Sequence, residues 1–166
     1  MEFKNVDNVT IRDLSGRHIL FRNLEGRKDA YNVNGQRSFH IILDSDFAKV
    51  LEKDGWNIRW RPARDEGEPP TPTLQLFARY DVMPPKIWIV TKNKKTLLDE
   101  NTVKSFDWAE IDKLSLTVRP YQYEFNGKYG IKAMVKTMYV TIVEDELDAE
   151  YYDIATDGEP EELPFD

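Results

Sequence analysis

Several short segments of this 166-residue chain interleave flat rings with cations at every second position, the spacing at which a strand returns to the same face. In Trp56-Asn57-Ile58-Arg59-Trp60-Arg61 the pleat sends Trp56, Ile58 and Trp60 to one side and Asn57, Arg59 and Arg61 to the other. Along Leu74 to Tyr80 it separates Leu74, Leu76 and Ala78 from Gln75, Phe77 and Arg79; along Lys86 to Val90 it separates Ile87 and Ile89 from Lys86, Trp88 and Val90. A later pair of strands adds Arg119, Tyr121, Tyr123, Lys128, Lys132 and Lys136. Cations that track phosphates beside rings that stack on unpaired bases are what single-stranded nucleic acid requires, and each stacked base contributes about 1 to 3 kcal/mol. The expected phosphate contacts are therefore Arg59, Arg61, Arg79, Lys86, Lys132 and Lys136, and the expected stacking platforms are Phe77, Trp88, Tyr121 and Tyr123. Taken singly, each ring is as well explained by burial under a loop and each cation by a solvated face. The recurrence over four strands carries the reading.

Catalytic patterns are poor by comparison. The absence of cysteine excludes disulfides, thiolate metal sites and cysteine nucleophiles. The two histidines, His18 and His40, sit in no zinc-ligand spacing, and the glycines form neither of the nucleotide-binding loops G-x-G-x-x-G and G-x-x-x-x-G-K-[ST]. Asp44 with Asp46, and Glu110 with Asp112, are carboxylate pairs that a divalent ion could use, but Asp44 and Asp46 also stand where a helix N-terminus favours acids. A binding protein with no catalysis, no cofactor and no metal is the expectation.

The net charge of -7 disguises a segregation. Residues 1–143 hold all 23 Lys and Arg with 19 of the 30 Asp and Glu, a net of +4, while residues 144–166 hold the other 11 acids and no base, a net of -11. The chain thus divides into a mildly basic body, residues 1–143, and an acidic tail, residues 144–166, too poor in apolar side chains to pack and expected to be disordered. No long apolar run or secretory leader is visible, so a cytoplasmic protein with no membrane partner is expected.

The elements that must position these residues are mostly strands. Runs rich in β-branched and aromatic residues recur between turn signals: Val9–Arg12, His18–Arg22, Ser38–Leu43, Trp56–Arg61, Thr73–Tyr80, Lys86–Thr91, Leu114–Phe125 and Tyr129–Val143. Some of these are expected to be halves of one bent strand, leaving five or six strands in all. Asp44 to Gly55 predicts a helix, with Phe47, Val50 and Leu51 on one face, an acid or Ser45 as cap and Gly55 as stop. A shorter helical turn is expected around Phe106 to Ile111. Asn126-Gly127 predicts a tight hairpin, Pro62 to Pro72 an exposed connection, and Lys92-Asn93-Lys94-Lys95 a basic loop. The predicted fold is mainly β: a Greek-key barrel of the oligonucleotide-binding (OB) type with one helix and a long C-terminal hairpin, a sandwich being the other arrangement with this strand count.

The chain ends Glu159-Pro160-Glu161-Glu162-Leu163-Pro164-Phe165-Asp166, an acidic spacer with an apolar tip. Such a tip suits basic, apolar-lined pockets on partner proteins, and such a tail can compete for a cationic groove on its own body. Together with Arg59, Arg61, Phe77, Arg79 and Trp88, this ending resembles the single-stranded-DNA-binding proteins of bacteria and especially of bacteriophages. Through Pro84-Pro85-Lys86-Ile87, Lys94 to Leu98 and Asn126 to Ala133 the body is also similar to uncharacterised phage proteins placed among replication genes. The resemblance implies an OB fold that coats unwound DNA without sequence preference, inside the host cell. It also implies a tail, Leu163, Pro164, Phe165 and Asp166 at its tip, that recruits replication or recombination proteins. One departure is Asp166 itself, because bacterial members end on the Phe. Self-association is left open, and the rival expectation is a non-catalytic phage structural or adaptor module whose aromatic faces form a subunit interface.

Overall fold

The computed structural model of the protein describes residue 3 and residues 5–144. Nine strands form one continuous sheet: β1 (Val9–Ser15), β2 (Ile19–Asn23), β3 (Ser38–Ile42), β4 (Ile58–Arg61), β5 (Thr71–Phe77), β6 (Lys86–Val90), β7 (Lys95–Leu98), β8 (Ile111–Phe125) and β9 (Lys128–Ile142). Among the described residues the helices are α1 (Ser45–Asp54) and α2 (Ser105–Trp108).

The strand order β1-β8-β9-β5-β3-β2 shows why the sheet must curl. β1 and β2 stand at its two ends, and laid flat they would be about 24 Å apart at 4.8 Å per strand. They are nevertheless joined by the 3-10 turn Gly16–His18, and the chain from Ser15 to Ile19 reaches at most about 15 Å. The sheet closes on itself into a half-barrel instead of forming two facing layers. Gly16 makes the bend feasible, since a β-carbon there would lie 1.8 Å from the Ile111 carbonyl oxygen. β1 and β2 are separate strands with different partners, β8 and β3.

β8 and β9 are the spine, two strands of 15 residues joined at Asn126-Gly127, where both residues take positive φ. Along its other edge β9 pairs in parallel first with the end of β5 (Phe77↔Met134) and then with β6 (Trp88↔Tyr139). The β8–β9 register slips between Thr117↔Thr137 and Val118↔Val135, so Lys136 is an extra residue that bulges out and sharpens the local twist.

Inward positions fill one core. Leu114, Leu116 and Val118 of β8 meet Ile131, Ala133, Val135, Met138 and Val140 of β9, with Phe39 and Ile41 of β3, Leu74 and Leu76 of β5 and Ile87 and Ile89 of β6. Each of these side chains larger than alanine contributes about 1.5 to 3 kcal/mol on burial. α1 spans the predicted segment: Asp44 accepts from the Phe47 N–H at 3.2 Å, Ala48 and Leu51 face the core with Phe47 partly buried beside them, and the Gly55 N–H returns to Glu52. Asp44 is therefore a helix cap. Val50, expected on the apolar face, points to solvent, and Ala48 takes its place. α2 sets Phe106 against Phe39, ring centroids 4.8 Å apart. The buried Asp107 accepts from the N–H groups of Leu24 and Glu25, fixing the start of the β2–β3 loop.

Three further expectations need correction. β7 begins at Lys95, inside what the charge run suggests is a loop, because Thr96 and Leu97 find backbone partners in Ile89 and Trp88. The Pro62–Pro72 connection ends early: β5 starts at Thr71, and Pro72 is buried, its carbonyl accepting from Leu43. Pro can occupy this position beside the strand start, where its missing N–H costs little. Among the described residues the strand count is nine rather than five or six. The tail lies outside the described residues.

Candidate nucleic-acid interface

The outward positions of five neighbouring strands converge. β4 supplies Arg59 and Arg61, β5 Gln75 and Phe77, β3 His40, β9 Lys132, and β8 Arg119 and Tyr121. Register makes them neighbours: His40 is opposite Gln75 and Tyr121 opposite Lys132, while Phe77 meets Met134 across the parallel β5–β9 contact. The Lys132 ammonium sits 5.0 Å from the Phe77 ring centroid. Two depressions meet at this pair. One, of about 400 Å³, is lined by His40, Asn57, Arg59 and Gln75 with Phe77 and Lys132. The other, of about 690 Å³, adds Arg37, Arg79, Tyr80, Arg119 and Tyr121 to the same two residues. Together they make a groove of rings and guanidinium groups across the strands.

Local bonding aims the cations. The Arg61 Nε donates to the Thr73 hydroxyl at 3.3 Å, and that hydroxyl donates to the Arg59 carbonyl at 3.2 Å. The Arg61 guanidinium then lies 4.9 Å from the centroid of Phe21, whose ring meets His40 edge-on at 5.3 Å. Burial, then Arg61 and Arg59, push the His40 imidazole down to about 4, so it is a neutral ring at pH 7. At the other end Arg79 donates to Asp81 at 2.9 and 3.3 Å, which raises the arginine and lowers the carboxylate. Burial lifts Tyr80 to about 12, and the Arg37 guanidinium lies 5.4 Å from its ring.

A second ring-and-cation patch lies farther along β9. Trp88 and Tyr139 are register partners, their rings within 7° of parallel and 6.3 Å apart, and the Lys95 ammonium stands 4.8 Å from the first and 6.0 Å from the second. Lys86 is in register with Thr137 on this stretch, beside the bulged Lys136.

The ten body residues singled out from the sequence therefore separate. Arg59, Phe77, Arg79, Tyr121 and Lys132 line the groove, and Arg61 joins them through Phe21. Tyr123 is beside it but already engaged: its hydroxyl accepts from Asn57 Nδ2 at 2.8 Å, and its ring crosses Gly130, where a β-carbon would come within 2.6 Å of that hydroxyl. Lys86 and Trp88 belong to the second patch, with the exposed Lys136 at the bulge nearby. Leu163, Pro164, Phe165 and Asp166 lie outside the described residues. Phe21, His40, Arg37 and Tyr139 escaped the sequence reading. Tyr139 shares the outward parity of Thr137 and Thr141 and was discoverable on that ground, whereas strand alternation points Phe21 inward. Among the described residues no three His, Asp or Glu side chains gather to hold a metal ion.

Comparison with known proteins adds the family. No curated protein sequence matches the chain. The fold is similar to the single-stranded DNA-binding protein from bacteriophage Enc34 in complex with ssDNA, with a TM-score of 0.53 at 9% identity, covering 83% of this chain and 88% of that one. A C-terminal truncation of the same Enc34 protein gives a TM-score of 0.51 at 10% identity, over 83% and 87%. Residues 2–161 match the family model described as "Putative phage ssDNA-binding domain". The chain belongs to that phage ssDNA-binding family.

Proposed function

We propose that the protein binds single-stranded DNA without sequence preference by laying it across the groove that meets at Phe77 and Lys132. Binding of this kind protects unwound DNA during phage replication and recombination in the host cytoplasm. The observation that carries the reading is the Phe77–Lys132 pair, a ring with an ammonium 5.0 Å away, shared by two depressions that are themselves walled by arginines and rings. Arg59, Arg61, Arg79 and Lys132 contact phosphates; Phe77 and Tyr121 stack on bases, with Tyr123 supporting the edge. Lys86, Lys136 and Trp88 extend the contact along β9. Nothing in this arrangement requires catalysis, and Asp44 already has a structural use as the α1 cap.

Residues 1–143 act as the DNA-binding body and residues 144–166 as an acidic tail. The tail's net charge of -11 competes with DNA for the groove, and its Leu163–Asp166 tip recruits replication or recombination proteins. The test is a titration of fluorescent oligonucleotides, single-stranded against duplex, at two salt concentrations. Single-strand affinity falling steeply with salt is expected, and deletion of residues 144–166 should tighten it most at low salt. Undetectable binding at low salt would leave the aromatic faces to the rival reading, a protein–protein module. Unchanged affinity on deletion would remove the competing tail alone.

A further inference from the structure

Phe21 breaks two rules at once. It follows the inward Ile19 at a spacing of two, so alternation sends its ring to the core and Arg22 to water. The structure has the reverse. The register of β2 on β3 slips between Leu20 and Asn23, the Phe21 ring is 62% exposed, and Arg22 turns beneath the sheet to donate to the carbonyls of Phe106 and Ala109, each at 2.7 Å. Phe21 also has φ of 53°. Among the described residues the other non-glycine positions with positive φ are Asp13 and Asn126, types that enter the left-handed region readily; a bulky aromatic residue does not. A strained backbone that holds a large apolar ring out in water opposes stability twice, and such strain gathers where a side chain must be aimed.

The ring is aimed at the groove. It stands edge-on to His40, which lines the smaller depression, under the Arg61 guanidinium. Phe21, His40, Phe77 and Tyr121 then form a line of rings from β2 through β3 and β5 to β8, four strand steps or roughly 19 Å along the curved surface. We infer that Phe21 is a stacking platform for an unpaired base at the β2 end of the groove, with Arg61 placed for the adjoining phosphate. The inference rests on the groove reading above.

Phe21→Gly in the full chain removes the ring and suits the positive φ, so the melting temperature should hold or rise while single-strand affinity weakens about tenfold, one stacked base. Phe21→Trp should keep the affinity. Irradiation of a bound 5-iodouracil oligonucleotide should crosslink the peptide carrying residue 21. If Phe21→Gly binds as wild type while Phe77→Ala is weakened, the Phe21 role is wrong and the groove stands; if both bind as wild type, both are wrong. A Phe21→Gly protein that instead changes oligomeric state at unchanged affinity makes the ring a self-association contact and also overturns the inference.

Discussion

Two regions of the outer surface combine rings with cations, yet they are built differently. In the groove, rings and cations come from six strands and alternate: Phe21 under Arg61, Phe77 beside Lys132, Tyr121 across from Lys132. In the β6–β9 patch, Trp88 and Tyr139 are cross-strand neighbours stacked on each other, with Lys95 over both. A ring that already faces a ring has less π surface to offer a base, and an ammonium held over two rings is partly committed. Proximity of aromatic and basic residues is therefore a weak guide to DNA contact. The free face of each ring, and a recess long enough to seat a strand, decide more.

The largest effect that separates the two regions is expected from truncating one ring in each. Phe77→Ala should weaken single-strand binding by about 1 to 3 kcal/mol, roughly 5- to 150-fold. It should alter thermal stability little, since the ring is on the outer face. Trp88→Ala should cost less affinity and more stability, because it removes the partner of Tyr139. Equal losses of affinity in the two variants, measured by anisotropy at one salt concentration, would erase the distinction.

Arg79 tests the groove from its other wall. Its guanidinium is bound twice by the exposed Asp81, so a phosphate must displace a carboxylate to reach it. Asp81→Asn should release it and tighten binding a few-fold at low salt, an amount in keeping with a surface ion pair and fading as salt rises. No change would mean that Arg79 is not a contact.

How much of this was readable in advance depends on whether a signal is local. The cap at Asp44, the apolar face and the stop at Gly55 lie within one segment, and α1 follows from them. The parity of β4 and β5 is local too, and Arg59, Arg61 and Phe77 emerge on the side expected. Which outward residues become neighbours is not local. It depends on the short parallel contact Leu76↔Ala133 and Phe77↔Met134, between strands more than fifty residues apart, which brings Phe77 to Lys132 and leaves Trp88 farther along β9. Phe21 was beyond reach for a different reason, because a register slip inverts the parity on which the reading depends. β7 was hidden by its basic start, whose charge resembles a loop until β6 is seen beside it.

The smallest expected effect concerns His40, and its sign follows from what surrounds the ring. Arg59 and Arg61 of β4, Phe21 of β2 and Gln75 of β5 face it, with Lys132 in the same recess. Its Nδ1 is buried and, among the described residues, meets no hydrogen-bond partner. Burial and the two arginines hold it at about 4 against an ordinary value of 6.5. The unfolded chain therefore takes up the proton first, so His40 contributes stability above pH 6.5 that is lost as pH falls toward 4. DNA phosphates that neutralise Arg59 and Arg61 should lift the value again, so the complex binds a proton more readily than the free protein does. Single-strand affinity should then rise as pH falls from 6.5 toward 4, by at most about tenfold for each unit of that lift. In His40→Gln this component should vanish, leaving only the slope due to the acidic residues elsewhere. Identical pH profiles for the two proteins would mean that phosphate does not come within reach of Arg59 and Arg61, and the path across β4 would have to be redrawn.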